Sequence, residues 1–143
     1  MPSQLNLDIT YLKMAHEWGQ LSKAERKKVG CLIVKDGQII SDGYNGTPSG
    51  FNNECEHDSY KNGLPILITK PEVLHAESNA LMKLAKSTNS STGSTIYLTM
   101  SPCFDCAKLI IQAGVVRVVC SEAYRIKDGV EFLEKNNIQV DII

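Results

Sequence analysis

The sequence lacks an excess of either charge and any long apolar run, and each absence excludes a class of protein. Lys and Arg number 15 against 16 Asp and Glu, a net charge of −1, so we expect no nucleic-acid polymer as a partner. No stretch approaches the roughly 20 apolar residues of a membrane-spanning helix, so we expect no membrane association. The opening segment has no charged region followed by an apolar run, so we expect no signal peptide and a cytoplasmic location.

The cysteines are few and odd in number. Five cysteines without an export signal argue against a disulfide framework and favour reduced thiols or metal ligands. The composition, 43% apolar and 22% charged, is that of a globular protein. Because no repeat, linker or low-complexity run divides the chain, we predict one domain over residues 1–143.

The apolar periodicity predicts elements in the order α-β-β-α-β-α-β-α-β. Asp36-Gly37 supplies the turn of a hairpin between the first two strands. Strands separated by helices predict parallel pairing, while the first pair is antiparallel, so we expect an α/β fold with a mixed five-stranded sheet and helices on both faces. The predicted helices are 6–21, 75–86, 102–114 and 128–136, the strands are 29–34, 39–40, 95–99, 115–120 and 138–142, and a glycine-rich loop at 43–50 runs into a polar insertion ending near 71.

Two polar clusters, each at the start of a predicted helix, carry the chemistry. His75-Ala76-Glu77 opens one helix, and Pro102-Cys103-Phe104-Asp105-Cys106 opens another. Cys103 and Cys106 are three residues apart and share a helical face, where the helix dipole favours thiolates that bind zinc. With His75 as third ligand, one tetrahedral position stays open, as in a catalytic zinc site.

Glu77 lies two residues beyond His75, a spacing that directs the two side chains to nearly opposite sides of a helix. Glu77 is therefore poorly placed as a ligand but able to face a substrate. The pattern H-x-E…P-C-x-x-C is the signature of zinc deaminases, in which the glutamate is the acid and base. A redox pair would not require His75 or Glu77, and a zinc ribbon would need a second C-x-x-C, which the chain lacks.

Beyond this motif, the sequence resembles the deoxycytidylate deaminase family over nearly its whole length. The resemblance lies in V-G at 29–30, which enters the first strand, G-Y-N-G-T-P-S-G at 43–50, H-A-E-S-N-A at 75–80, S-P-C-F-D-C-A-K at 101–108 and Q-A-G at 112–114. It implies the cytidine-deaminase fold, a three-layer sandwich, with one catalytic Zn²⁺ per chain. It also implies hydrolysis of dCMP to dUMP and ammonia, which supplies dUMP for thymidylate synthesis.

The resemblance also implies roles for pocket residues. Glu77 is the acid and base, the Ala76 amide holds the base carbonyl, Asn45 holds the sugar, and Ser101 contacts the substrate. The phosphate is expected near the end of the first helix and after the strand that ends at Cys120, with the contacts assigned to Ser22, Lys23, Arg26 and Tyr124, and more weakly to Arg125.

Many members of this family are hexamers that dCTP activates and dTTP inhibits, with Mg²⁺ bound beside the effector. The resemblance therefore implies a homo-oligomer, a hexamer, and an effector pocket near a subunit interface. The implied effector residues are Gly43, Tyr44, Asn45, Gly46, Thr47 and Gly50.

Some alternatives stay open. We interpret Cys55 and His57 as ordinary residues of the insertion, although some family members hold a second, structural zinc there, for which Cys31 could be a further ligand. We expect Cys31 and Cys120 to be buried small hydrophobes. The substrate could be dCTP or a 5-substituted dCMP, or the chain could be a silent nucleotide-binding module, which ammonia release would distinguish.

Overall fold

The computed structural model describes residues 1–143. It contains four helices and seven strands, and no helix is long and apolar enough to cross a bilayer. Ser3 caps the first helix by accepting a hydrogen bond from the Asn6 N–H, which starts the helix two residues before the predicted position. In chain order the elements are α1 (Gln4–Gly19), β1 (Gly30–Lys35), β2 (Gln38–Tyr44), β3 (Glu56–Lys61), β4 (Leu64–Thr69), α2 (Ala76–Ala85), β5 (Thr95–Met100), α3 (Phe104–Gln112), β6 (Arg117–Glu122), α4 (Asp128–Lys135) and β7 (Gln139–Ile142).

The predicted mixed sheet of five strands is confirmed, and its strands lie in the order β2-β1-β5-β6-β7. Asp36 and Gly37, both with positive φ, turn β1 into antiparallel β2. The helix-linked strands β5, β6 and β7 pair in parallel. The prediction is wrong at one crossover: β2 and β5, which flank α2, are not neighbours, because β1 lies between them and pairs antiparallel with both.

The side chains of the sheet alternate between two apolar layers. Cys31 and Ile33 of β1 point into the larger core, which α2, α3 and α4 cover. Leu32 and Val34 point to the opposite face, where Leu12 and Ala15 of α1 pack. The expected helices on both faces are therefore confirmed, with three helices on one side and α1 alone on the other. Cys31 and Cys120 are fully buried, as predicted.

An ion pair between buried Asp8 and half-buried Arg117 connects α1 to the sheet. The Arg117 guanidinium donates to both carboxylate oxygens of Asp8, over 2.9 and 2.8 Å, and also binds Asp141. The Tyr97 hydroxyl donates to Asp8 over 2.6 Å. Burial alone would raise the pKa of Asp8, but the hydrogen bonds from Arg117, Tyr97 and Gln4 outweigh it and hold the pKa below its ordinary value.

The polar insertion is a hairpin that the periodicity did not reveal. Strands β3 and β4 pair only with each other, and Asn62 and Gly63, both with positive φ, form the turn between them. Asn-Gly is a strong hairpin signal, but the flanking strands are largely exposed and lack apolar alternation. The hairpin ends at Thr69, shortly before the segment that leads into α2.

Candidate active site

The three predicted metal ligands converge where two helices begin. His75 is the N-cap of α2, Cys103 is the N-cap of α3, and Cys106 lies in the first turn of α3. The His75 Nδ1 atom lies 3.3 Å from the Cys106 sulfur and 3.5 Å from the Cys103 sulfur. One ligand atom from each residue lies within 4.8 Å of the other two. The three residues that the sequence predicts as ligands thus lie together, although 28 positions separate His75 from Cys103.

The donor set fits zinc. Zn–N bonds near 2.0 Å and Zn–S bonds near 2.3 Å give N···S edges of roughly 3.6 Å in a tetrahedron, close to the separations between His75 and the two sulfurs. Hydrogen bonds with Cys106 and His75 lower the pKa of the Cys103 thiol, while the same contact with Cys103, together with burial, raises the pKa of Cys106. One imidazole and two thiols at helix N-termini are ligands that zinc prefers, and three protein ligands leave a tetrahedral position open.

Glu77 is buried beside these ligands but does not belong to their cluster. Its side chain is only 4% exposed and lines the pocket that His75 and Cys103 also line. Burial raises its pKa to about 7, against an ordinary value near 4.5. A carboxyl group with this pKa holds or releases a proton near neutral pH, as a general acid and base must.

The end of β2 and the glycine-rich loop pack against the start of α2. A side chain at Gly43 would overlap the backbone carbonyl of Ala76, so β2 and α2 approach closely here because residue 43 has no Cβ. Gly46 exchanges two backbone hydrogen bonds with Leu74, immediately before His75. The Asn79 amide donates to the Tyr44 carbonyl over 2.7 Å. These contacts connect the loop to the backbone on both sides of His75, a candidate ligand.

The substrate residues implied by the resemblance divide into two groups. Arg26, Asn45, Ala76, Ser101 and Tyr124 line the pocket around the candidate ligands. The complete lining is Ala24, Arg26, Lys27, Val29, Asn45, Cys55, Glu56, Thr69, Val73, His75, Ala76, Glu77, Met100, Ser101, Cys103, Tyr124 and Arg125.

Two phosphate candidates and most of the effector candidates lie outside this lining. Ser22 is buried, and its hydroxyl donates to the Asn45 carbonyl and accepts from the Ala24 N–H. Lys23 is exposed to solvent. The effector candidates that do not line the pocket are Gly43, Tyr44, Gly46, Thr47 and Gly50.

Backbone groups occupy the hydrogen-bonding atoms of Asn45. Its side-chain oxygen accepts from the Val29 N–H over 2.9 Å, and its side-chain nitrogen donates to the Lys27 carbonyl over 2.8 Å. Ser101 similarly accepts from the Tyr124 N–H over 2.6 Å. Asn45 and Ser101 thus hold the two loops of the pocket wall in place.

Several pocket residues that the sequence analysis did not assign to the site lie in or beside the hairpin. Glu56 and Thr69 are cross-strand neighbours that reach the pocket, together with Cys55 and Val73. Cys55 and His57 do not join a cluster of three potential ligands, and His57 is exposed. Recognition of the Asn62-Gly63 turn would have revealed the hairpin, although not its position against the pocket.

The chain is similar to characterised deaminases along most of its length. Residues 5–122 match the model of the cytidine and deoxycytidylate deaminase zinc-binding region. Deoxycytidylate deaminase of Enterobacteria phage T4 is 35% identical over 149 aligned positions, covering 80% of this chain and 77% of that protein. The Homo sapiens deoxycytidylate deaminase is 36% identical over 124 positions, covering 82% and 66%. The crystal structure of cyanophage S-TIM5 dCMP deaminase in complex with dCMP and dUMP superposes with a TM-score of 0.87 and 43% identity, covering 99% of this chain and all of that one.

Proposed function

Since the chain belongs to the cytidine and deoxycytidylate deaminase family and is therefore a hydrolytic deaminase, we propose that its substrate is dCMP. Water replaces the C4 amino group, and the products are dUMP and ammonia. The observation that carries the proposal is the convergence of His75, Cys103 and Cys106 beside buried Glu77, in a pocket that two guanidinium groups also line. The likeness to S-TIM5 dCMP deaminase supports the choice of a nucleoside monophosphate.

His75, Cys103 and Cys106 are the residues that would hold zinc. A zinc ion held there would supply Lewis-acid chemistry and would lower the pKa of a water molecule to about 7. Glu77 accepts one proton from the attacking water and delivers it to N3 of cytosine. It then takes the second proton from the hydroxyl group formed at C4 and delivers it to the amino group, which leaves as ammonia. Its raised pKa suits this shuttle, because neither protonation state dominates strongly near pH 7.

The remaining groups of the pocket bind and orient the nucleotide. We assign the base carbonyl to the Ala76 amide and the sugar to the Asn45 region. Arg26, Tyr124 and Arg125 line the pocket and supply donors for the 5′-phosphate. Ser22, whose hydroxyl already has two backbone partners, contributes by fixing the loop rather than by direct contact. Lys23, exposed and outside the lining, has no assigned contact.

Ammonia release from a panel of nucleotides tests the substrate. The purified zinc-loaded protein is incubated with dCMP, deoxycytidine, dCTP, 5-methyl-dCMP and dAMP. We expect dCMP to exceed deoxycytidine by a factor on the order of 10² or more in kcat/KM, since two charge-assisted hydrogen bonds contribute about 1.5–3 kcal/mol each. Equal efficiency of these two substrates would remove the phosphate assignment, and the absence of ammonia from every cytosine nucleotide would favour a silent binding module.

Regulation is a second, finer part of the proposal. We propose a homohexamer that dCTP activates and dTTP inhibits, with Mg²⁺ beside the effector. The supporting observation is the pair of backbone hydrogen bonds between Gly46 and Leu74, through which a ligand on loop 43–50 would move the segment before His75.

Rate-versus-substrate curves with and without dCTP and dTTP test the regulation, and light scattering measures the assembly. If the rate curves are sigmoidal and become hyperbolic when dCTP is added, the proposed regulation is supported. Hyperbolic curves that neither triphosphate shifts would show a deaminase without it.

A further inference from the structure

The segment between α1 and β1, residues 20–29, forms one wall of the pocket without regular secondary structure of its own. Its shape therefore depends on contacts with other parts of the chain. Ser22 donates to the Asn45 carbonyl on one side, and Asn45 donates back to the Lys27 carbonyl. A third point of attachment comes from the hairpin.

Glu56, the first residue of β3, holds this segment through its backbone. One carboxylate oxygen of Glu56 accepts hydrogen bonds from the N–H groups of both Glu25 and Arg26, each over 3.0 Å. Thr69, directly opposite Glu56 in the hairpin, accepts from the Arg26 guanidinium over 3.3 Å. Two adjacent positions of the hairpin thus fix both the backbone and the side chain of Arg26.

In this arrangement no carboxylate neutralises the guanidinium charge of Arg26, so the charge can bind an anionic group of a ligand. Although Glu56 is an acid, it binds N–H groups, and Arg26 forms no ion pair with it or with any other carboxylate. Lys27 differs, because Glu122 pairs with its ammonium group over 2.6 Å. Arg26 and Arg125 are therefore the unpaired cations of the pocket lining.

We propose that Glu56, together with Thr69, is a positioning residue that directs Arg26 toward the anionic group of the substrate. The hairpin thereby sets the preference for a phosphorylated nucleotide, while the chemical step depends on other residues. This inference rests on the proposed function, since it requires the substrate to carry a phosphate. A carboxylate paired with the Arg26 guanidinium would compete with the phosphate and weaken its binding. A carboxylate that instead orders the backbone at Arg26 strengthens phosphate binding, because less ordering is left to occur when the ligand binds.

The test compares kcat and KM for dCMP and deoxycytidine in four variants. Glu56→Ala removes the acceptor of two backbone N–H groups, and we expect KM for dCMP to rise about tenfold, with kcat for dCMP and kcat/KM for deoxycytidine changed by less than about twofold. Thr69→Val keeps the shape but removes the guanidinium acceptor, and we expect a smaller rise in the same direction. Glu56→Gln retains an acceptor oxygen and restores most of the affinity.

Asp58→Ala is the matched control, because it removes an exposed carboxylate from the same strand. We expect its selectivity for dCMP over deoxycytidine to equal that of the unmodified enzyme. Circular dichroism establishes that each variant folds, and if Glu56→Ala does not, Thr69→Val and Glu56→Gln decide the question.

The outcomes separate this inference from the proposed function. An unmodified enzyme without preference for dCMP contradicts phosphate recognition itself. A preference that survives unchanged in Glu56→Ala and Thr69→Val overturns only the role of the hairpin. An equal loss of kcat on both substrates also overturns it, because that result would indicate general damage to the site.

Discussion

At residue scale, the proposed mechanism assigns the proton transfers to the side chain of Glu77. Glu77→Gln keeps the size and polarity of the side chain but cannot carry a proton. We expect normal folding and zinc content with a loss of turnover on the order of 10²–10⁴ or more, because a positioned acid and base contributes that factor. Steady-state kinetics with dCMP, alongside metal analysis, measures both. Near-normal turnover would rule out Glu77 as the proton shuttle.

Cys103 provides the corresponding test for the metal. Cys103→Ser replaces a thiolate donor by a hydroxyl, a much weaker zinc ligand, so we expect bound zinc to fall from about one equivalent per chain to a small fraction. Elemental analysis of the dialysed protein gives the stoichiometry. Full retention in a folded variant would remove Cys103 from the site, and a second equivalent lost in Cys55→Ser would establish a further zinc in the insertion.

The sequence alone predicted that the three candidate zinc ligands would lie together, because each of them lies within one turn of a helix start. Zinc accepts few ligand types, and His75, Cys103 and Cys106 have that chemistry at recognisable spacing. For Ser22 the sequence was not sufficient. The basic residues that follow it suggested a phosphate contact, but its hydroxyl is buried and donates to the Asn45 carbonyl. Local sequence does not reveal which direction a loop hydroxyl faces.

At element scale, α4 packs against the turn that carries Cys103. A Cβ added at Gly129 would overlap the Pro102 carbonyl oxygen and lie 2.7 Å from the Cys103 carbonyl carbon. The requirement is for space, since Gly129 lies within a helix and not in a left-handed conformation. The first turn of α4 is thus in direct contact with the backbone of Cys103, a candidate zinc ligand.

Gly129→Ala should therefore disturb the metal site as well as the packing. We expect a loss of about 1–3 kcal/mol in the free energy of unfolding, as overpacking costs in a core. We also expect weaker zinc affinity, measured by competition with a chromophoric chelator. Glu131→Ala, an exposed position of the same helix, serves as control. Unchanged affinity and stability in Gly129→Ala would mean that α4 shifts without moving Cys103.

The pairing of elements was only partly predictable. Asp36-Gly37 lies between two apolar runs, so local chemistry identified the β1–β2 hairpin. Asn62-Gly63 has the same chemistry, but neither strand around it shows apolar alternation: β3 is polar and largely exposed, and β4 is an apolar run without a buried residue. The position of β1 between β2 and β5 depends on tertiary hydrogen bonds that no local pattern specifies.

At the scale of the whole molecule, the ion pair between Asp8 and Arg117 joins residues 109 positions apart. Such a pair has no local signature, and it could not be predicted from the sequence. We expect Asp8→Asn to lower the free energy of unfolding by about 2–4 kcal/mol at pH 7, because it weakens a buried bidentate pair.

This contribution should depend on pH in a definite direction. The folded pKa of Asp8 lies below its ordinary value, so its stabilisation is complete above about pH 5 and is lost as the pH falls through the folded pKa. The difference in stability between the unmodified protein and Asp8→Asn should therefore narrow from pH 7 toward pH 3. Urea unfolding of both proteins at several pH values measures this difference, and the candidate zinc site is the same in both. A difference that does not change with pH would contradict the role assigned to the Asp8 carboxylate.

The hairpin β3–β4 stands apart from the five-stranded sheet, because its strands pair only with each other. The candidate zinc ligands and Glu77 lie on other elements, whereas Glu56 and Thr69 of the hairpin line the same pocket and contact Arg26. If Glu56 and Thr69 position Arg26 as proposed, sequence changes confined to this hairpin would alter which nucleotide binds and would leave the residues that remove its amino group unchanged.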